Sequence, residues 1–276
     1  MTQTEEKQIV DTLFGKQEES VSADFDYDAE LPHVLFGDDN QDSLPLIDVP
    51  LYEPVCVEST PRALMPYLDE LSLFEKRWGC GLKDAETRDE WCERMNKDLV
   101  PVLNAVRAVC ERDGILQPRA AYVYVNAKAC GDRVDFYASD GKTVFASLTF
   151  PRRADGASPA DKFSSGKAMP VALIAATVGK TASDIAKKWL LLGQDTEYGC
   201  LDGFVRETVR AMTAYAAAIV NGQNCCVGDV FEPNGENGKL FAAFVKAVQA
   251  DRIGVEYGAN HTLAPKYSAL ALVLPK

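Results

Sequence analysis

The sequence holds no C-x-x-C pair, only two histidines, and no apolar run near the roughly 18 residues of a membrane span. Each absence removes a class of function. Without paired cysteines, zinc ribbons and dithiol exchange lose their ligand pattern. The eight cysteines, Cys56, Cys80, Cys92, Cys110, Cys130, Cys200, Cys225 and Cys226, are therefore expected as free and largely buried thiols, and no metal site is expected. Cys225 and Cys226 are adjacent, and neighbouring thiols bridge only with strain. With His33 and His261 as the sole imidazoles and no G-x-S-x-G, a Ser-His or Cys-His nucleophile has no seat. The phosphate loops G-x-x-x-x-G-K-[ST] and G-x-G-x-x-G are missing too, which argues against kinase and dehydrogenase chemistry. The polar start MTQTEEKQ lacks the charged-then-apolar order of a secretory signal, so a cytoplasmic location and no membrane contact are expected.

Charge is present but unevenly placed. Residues 1–54 carry 14 acids and two lysines, which accounts for the whole net charge of −12. The remaining residues, 55–276, hold 27 acids against 27 bases. The chain thus divides into an acidic, extended N-terminal arm (1–54) and a neutral domain (55–276). In the arm, short apolar clusters alternate with acids and prolines, a pattern that does not build a core of its own. An acidic arm on a neutral body repels phosphate backbones, which excludes nucleic acid and leaves a basic partner open.

The order of elements points to a fold class. Ser59 or Thr60 can cap a helix with Pro61 in its first turn, running toward Trp78 until Gly79 and Gly81 stop it. Leu64, Tyr67, Leu68, Leu71 and Phe74 give it an apolar stripe, and Asp69 lies off that stripe. A second helix fits residues 84–114, with Asp84 as cap, Gly114 as stop and Pro101 as a kink or split. AAYVYVNAKACGDRVDFYASDGKTVFASLTF reads as a three-stranded meander with Asp140-Gly141 at one turn. A polar loop and the buried strand VALIAATVG follow. Helices around 183–192 and 201–220, a loop rich in Gly and Asn, a helix around 239–250 and the strand SALALVLP complete the chain. Helices, meander, strand, helices, strand is the pattern of an α+β domain with a mainly antiparallel, twisted sheet and packed helices.

Several stretches, in order, resemble one family. VPLYEPVCVE leads into PYLDELSLFEKRW, which carries P-Y-[IL]-D, then L-F, then R-W. Pro118-Arg119 steps into a strand and a G-D turn, TVFASLTFPRR ends in F-P-R-[QR], and VALIAATVG is similar to an A-V-T-x-G strand. GKLFAAFVKAVQADRIGVEYGANHTLAPKYSALALVLP supplies a closing helix, an I-G-V step and a P-x-[KR]-S-type last strand. Collinear from about residue 48 to 276, these resemble the reactivation domain of cobalamin-dependent methionine synthase and its free-standing relatives.

The resemblance implies a helmet-like α+β fold that binds S-adenosylmethionine and presses on a cobalamin-binding module of a partner. There, oxidised cobalamin is reduced by an electron donor such as a flavodoxin and remethylated. Such a ligand joins an ammonium and a sulfonium to a carboxylate, so its site wants carboxylates and an arginine fork. The family's carboxylate on the opening helix matches Asp69.

The departures fall in the same site. Where the family has R-x-x-x-G-Y or R-x-S-P-G-Y-G-D, this chain has GDVFEPNGENG: Val230 replaces the arginine, Pro233 and Asn234 follow, and no tyrosine appears. The acid expected near the end of the long helix is absent from AYAAAIVNG. Losing the arginine costs on the order of 2 to 5 kcal/mol if the ligand carboxylate is desolvated and unpaired. Glu232 and Glu236 are candidate replacement carboxylates, Asn234 and Gly235 lie between them, and Tyr267 sits near the family's aromatic contact. His33 fails as a cobalt ligand, because LPHVLFG lacks the Asp of D-x-H-x-x-G and has its Gly one place late. The expectation is a free-standing reactivation protein acting in trans on a corrinoid methyltransferase, without a complete active site of its own. The alternative is an accessory module that docks on a corrinoid protein and has lost S-adenosylmethionine binding.

Overall fold

The computed structural model describes residues 51–150, 152, 156–163, 167–221, 230–231, 238–258 and 262–273. The remainder of the arm (1–50), His33, His261, Cys225 and Cys226 lie outside the described residues.

Strands β1 (Val55–Glu58), β2 (Arg119–Cys130), β3 (Arg133–Tyr137), β4 (Val144–Thr149), β5 (Met169–Thr177), β6 (Val230–Phe231) and β9 (Ser268–Val273) form one antiparallel sheet. Its order is β4-β3-β2-β5-β9-β6, and β1 lies along β2 on the edge that β3 leaves open. A small second ladder joins β7 (Glu256–Tyr257) to β8 (Leu263–Ala264). The expected meander is β2-β3-β4. Between its last two strands Asp140 accepts the amides of Lys142 and Thr143, while Gly141 takes φ +66°.

The helices are α1 (Pro61–Leu64), α2 (Glu70–Ser72, widening into a turn over Leu73–Arg77), α3 (Arg88–Arg94), α4 (Val100–Arg112), α5 (Lys180–Leu191), α6 (Asp195–Asn221) and α7 (Gly238–Val248). Period-two alternation decides which helix covers which face. On β2 and β5, Val123, Val125, Val171 and Leu173 point into a core shared with α7, where Phe136 meets Phe244 edge to face at 5.0 Å. The intervening Ala120, Tyr122, Ala172, Ile174 and Ala176 face α6. Small residues meet there from both sides, Ala211, Ala216 and Ala217 on the helix, which lets α6 lie close to the sheet. β5 is covered on both faces, so its sequence reads as one apolar run rather than an alternation.

Two helix expectations need correction. Thr60 caps α1 and Pro61 follows, but the opening helix is not continuous. Pro66 has no amide to donate, the chain tightens over Met65–Tyr67 and extends at Leu68, and Asp69 starts a new helix. Tyr67 and Leu71 consequently stand out of the apolar stripe, 38% and 48% exposed. Asp84 is not the cap of the second helix. Thr87 is, in a reciprocal box with Glu90 that satisfies two orphan amides. The effect of Pro101 is a split: the chain widens over Met95–Leu99, where the Val100 amide reaches back to Met95, and α4 starts afresh.

Residues 51–54 already belong to the body. The Tyr52 amide donates to the Tyr124 carbonyl at 2.8 Å, and Arg252 donates to the Pro54 carbonyl at 3.0 Å. The six described cysteines are free thiols, but the expected burial holds only for Cys110 and Cys200; Cys80 and Cys92 are half-buried, and Cys56 and Cys130 are exposed.

Candidate functional site

Asp69 is exposed, and its Oδ1 accepts the Ser72 amide at 2.9 Å. The carboxylate that matched a ligand position is therefore also the N-cap of α2, with one oxygen engaged and a negative charge at the helix N-terminus.

α2 ends on a buried carboxylate of α6. Glu207 is wholly inaccessible, and its Oε1 accepts from Arg77 Nε at 2.9 Å and from Ser72 Oγ at 3.4 Å. Its Oε2 makes no hydrogen bond, with Arg210 Nε 3.8 Å away. About two turns earlier on α6, the Trp78 indole donates to the Cys200 carbonyl at 3.2 Å. Gly203 makes this approach possible: a Cβ there would lie 2.8 Å from Trp78 Nε1 and 2.9 Å from Arg77 Cβ.

Tyr267 joins a second cluster on α6. It is 3% exposed, and its hydroxyl donates to Asp202 Oδ1 at 2.7 Å. The same carboxylate accepts from Lys266 Nζ at 2.8 Å and from Arg206 Nε at 2.6 Å, and Lys266 also reaches the Tyr198 hydroxyl at 3.1 Å. Burial by itself would raise the Asp202 carboxyl, but the bonds from Lys266, Arg206 and Tyr267 outweigh it and bring it down to about 2. Burial, then donation to that anion, pushes the Tyr267 hydroxyl far up. Burial opposes the Lys266 charge as well, yet Asp202 and Tyr198 hold it above its ordinary value.

The two described members of the expected set thus attach to α6 at different points, Tyr267 through Asp202 and the Asp69 turn through Glu207. Five residues of helix separate these partners, about 140° around the axis and about 7.5 Å along it. The backbone of Val230 and Phe231 pairs with Ala271 and Leu270 of β9, so the position of the missing arginine is at the sheet edge. Glu232, Asn234, Gly235 and Glu236 lie outside the described residues.

Asp202 and Glu207 were not singled out by sequence reasoning. The one available signal was spacing: Tyr198, Asp202 and Arg206 recur every four residues on one helical face. No group of His, Cys, Asp and Glu among the described residues is arranged to hold a metal ion, and no described helix is long and apolar enough to cross a membrane.

No protein-family model matches this sequence, and no curated protein matches it. At the level of structure the chain is similar to the MetH reactivation domain solved bound to AdoHcy, with a TM-score of 0.64 at 18% sequence identity, over 87% of this chain and 83% of that one. The two share their fold, mixed helices and a curled antiparallel sheet.

Proposed function

We propose that this protein is a reactivation-domain-like component of a corrinoid methyltransferase system, acting in trans on a partner that carries cobalamin. The observation that carries this reading is the fold shared with a methionine synthase reactivation domain along most of both chains. That neighbour was solved with AdoHcy, which supports S-adenosylmethionine or a close relative as the ligand here. The motif order described above adds weight to the same assignment.

The residues on hand suit half of such a ligand. Asp69 presents an exposed carboxylate whose Oδ1 is held by the Ser72 amide, so it is oriented before any ammonium or sulfonium arrives. The position expected to grip the ligand carboxylate is Val230, which offers no cation. When bound, S-adenosylmethionine supplies an electrophilic methyl group. The part of this chain is to hold the donor's charges and to seat it against the partner's cobalamin, with electrons delivered by a separate donor such as a flavodoxin.

Val230 favours a second reading, in which the fold still docks on a corrinoid protein but the ligand site has been abandoned. A thermal shift separates the two. At 100 times its dissociation constant a ligand adds about 2.7 kcal/mol to stability. A rise in Tm with S-adenosylmethionine or its demethylated product supports the first reading. No rise at millimolar ligand, together with capture of a cobalamin-loaded module, supports the second. Neither a shift nor capture would overturn both.

A further inference from the structure

We propose that the base of the N-terminal arm, residues 44–50, docks on a tyrosine-lined face of its own domain, between α6 and the β1 edge of the sheet, through Ile47 and Val49. Tyr122 and Tyr124 of β2, Tyr215 and Ile219 of α6, and Tyr67 from the opening segment make up that face. The Tyr67 and Tyr215 rings meet edge to face at 5.5 Å, and Tyr122 meets Tyr124 in the same way at 6.0 Å. Tyr122, Tyr124 and Tyr215 pack on the core beneath α6 but are only partly buried, while Tyr67 and Ile219 are 38% and 44% exposed.

The place where the described chain begins identifies the occupant. Leu51 bridges to Tyr124, and residues paired across a ladder point to the same side of a sheet, so Leu51 lies on the tyrosine side. Tyr52 packs on the opposite core, the one shared with α7, as alternation requires. Carried back along the sequence, the same alternation puts Val49 and Ile47 with Leu51, and Asp48 and Pro50 on the other side. Pro50 favours this course: it biases Val49 toward extended backbone, and at a sheet edge its missing amide leaves no ladder bond unmade.

Reach and composition agree with that assignment. Four residues of extended chain measure about 13 Å. The face starts beside Leu51, because the Tyr124 hydroxyl donates to the Val220 carbonyl at 3.0 Å. Tyr215 lies about 7.5 Å back along α6 from that carbonyl, and the Tyr67 ring is 5.5 Å from it. Ile47 and Val49 therefore span the face without a gap in the chain. The arm carries 14 acids, but LPLIDVP holds only one of them, Asp48, on the side turned away. Docking removes both the segment's aliphatic side chains and the aromatic surface from water, and tyrosine hydroxyls at the rim stay wet. The contact involves no ligand, so it stands apart from the proposed function.

The test uses the full chain with labelled Ile and Val methyls and Tyr rings. Cross-peaks from the Ile47 and Val49 methyls to the rings of Tyr67, Tyr122 or Tyr215 are the expected result. The double variant Ile47→Asp with Val49→Asp is expected to lose them and to speed amide hydrogen exchange at residues 46–49 at least tenfold, with the circular dichroism spectrum unchanged. Tyr67→Ser is expected to speed the same amides from the other side of the contact, and Asp48→Asn to leave them within about twofold. Three results overturn the assignment: no methyl-to-ring cross-peaks, exchange that neither the double variant nor Tyr67→Ser alters, or cross-peaks found only between differently labelled copies, which would make the occupant a second chain.

Discussion

Arg77 and Glu207 meet at 2.9 Å across 130 positions of sequence, and the carboxylate they share with Ser72 has no access to solvent. This pair fixes the widened end of α2 on the long helix α6. Its partners are unequal. Arg77 keeps 28% of its side chain exposed, while Glu207 depends on Arg77 and Ser72 for both of its hydrogen bonds.

Removing one partner is therefore costlier than replacing both. Breaking a buried pair costs roughly 3 to 5 kcal/mol, and the partial exposure of Arg77 and the nearby Arg210 move the expectation to the low end. Urea denaturation of Arg77→Met is expected to show a loss of about 3 kcal/mol. The double variant Arg77→Met with Glu207→Leu should recover most of it. A double variant less stable than the single one would contradict this account.

Gly203→Ala provides a second check. In an exposed helix interior this change stabilises by up to about 1 kcal/mol. Here the new Cβ would fall within 3 Å of both Trp78 and Arg77. The expected outcome is destabilisation by about 1 to 3 kcal/mol, with an altered near-ultraviolet signal from tryptophan as the contact opens.

Asp202 predicts an acid limb. Its carboxyl lies at about 2 in the folded protein against an ordinary 3.8, so the unfolded chain takes up its proton first as pH falls. The stabilisation, about 2 kcal/mol, is complete above pH 5 and disappears as pH drops toward 2. Asp202→Asn should be less stable than the parent at pH 6 and nearly equal to it at pH 2. At the alkaline end the sign reverses. Lys266 is held above its ordinary value, so its contribution is present below about pH 10 and is lost as pH rises through its folded value.

Asp69 has two roles that two substitutions separate. Asn keeps an N-cap acceptor and loses the charge, whereas Ala loses both. Asp69→Asn is expected to stay within about 0.5 kcal/mol of the parent, and Asp69→Ala to lose about 1 kcal/mol. If the site binds an S-adenosyl ligand, both should weaken that binding at least tenfold by calorimetry. Unchanged affinity in Asp69→Asn would take the residue out of the site.

What was legible in the sequence was local. The Asp140-Gly141 turn, the Thr60-Pro61 start and the unbroken apolar run of β5 each express a short-range rule, and each stands in the structure. The break before Asp69 was written in Pro66 but obscured by an apolar spacing that continued past it. The Asp202 and Glu207 clusters were out of reach because their partners come from 65 and 130 positions away. Only the packing of α6 against the opening helix and the last strand brings those charges together. Residues 230–236 were readable mainly as departures from the family pattern, and local rules do not say what a rewritten stretch contacts.

The residues that depart from the family pattern, 232–236, are bracketed by two fixed elements. Phe231 pairs with Leu270 of β9 just before them, and α7 begins at Gly238 and buries Phe241 and Phe244 in the core just after. Both ends of the intervening stretch are thus held by partners that do not depend on its sequence. For a flexible connection between fixed ends, doubling the length costs only about 0.6 kcal/mol. A change of length between these two anchors therefore costs folding little, so the sequence there can vary almost independently of selection on stability.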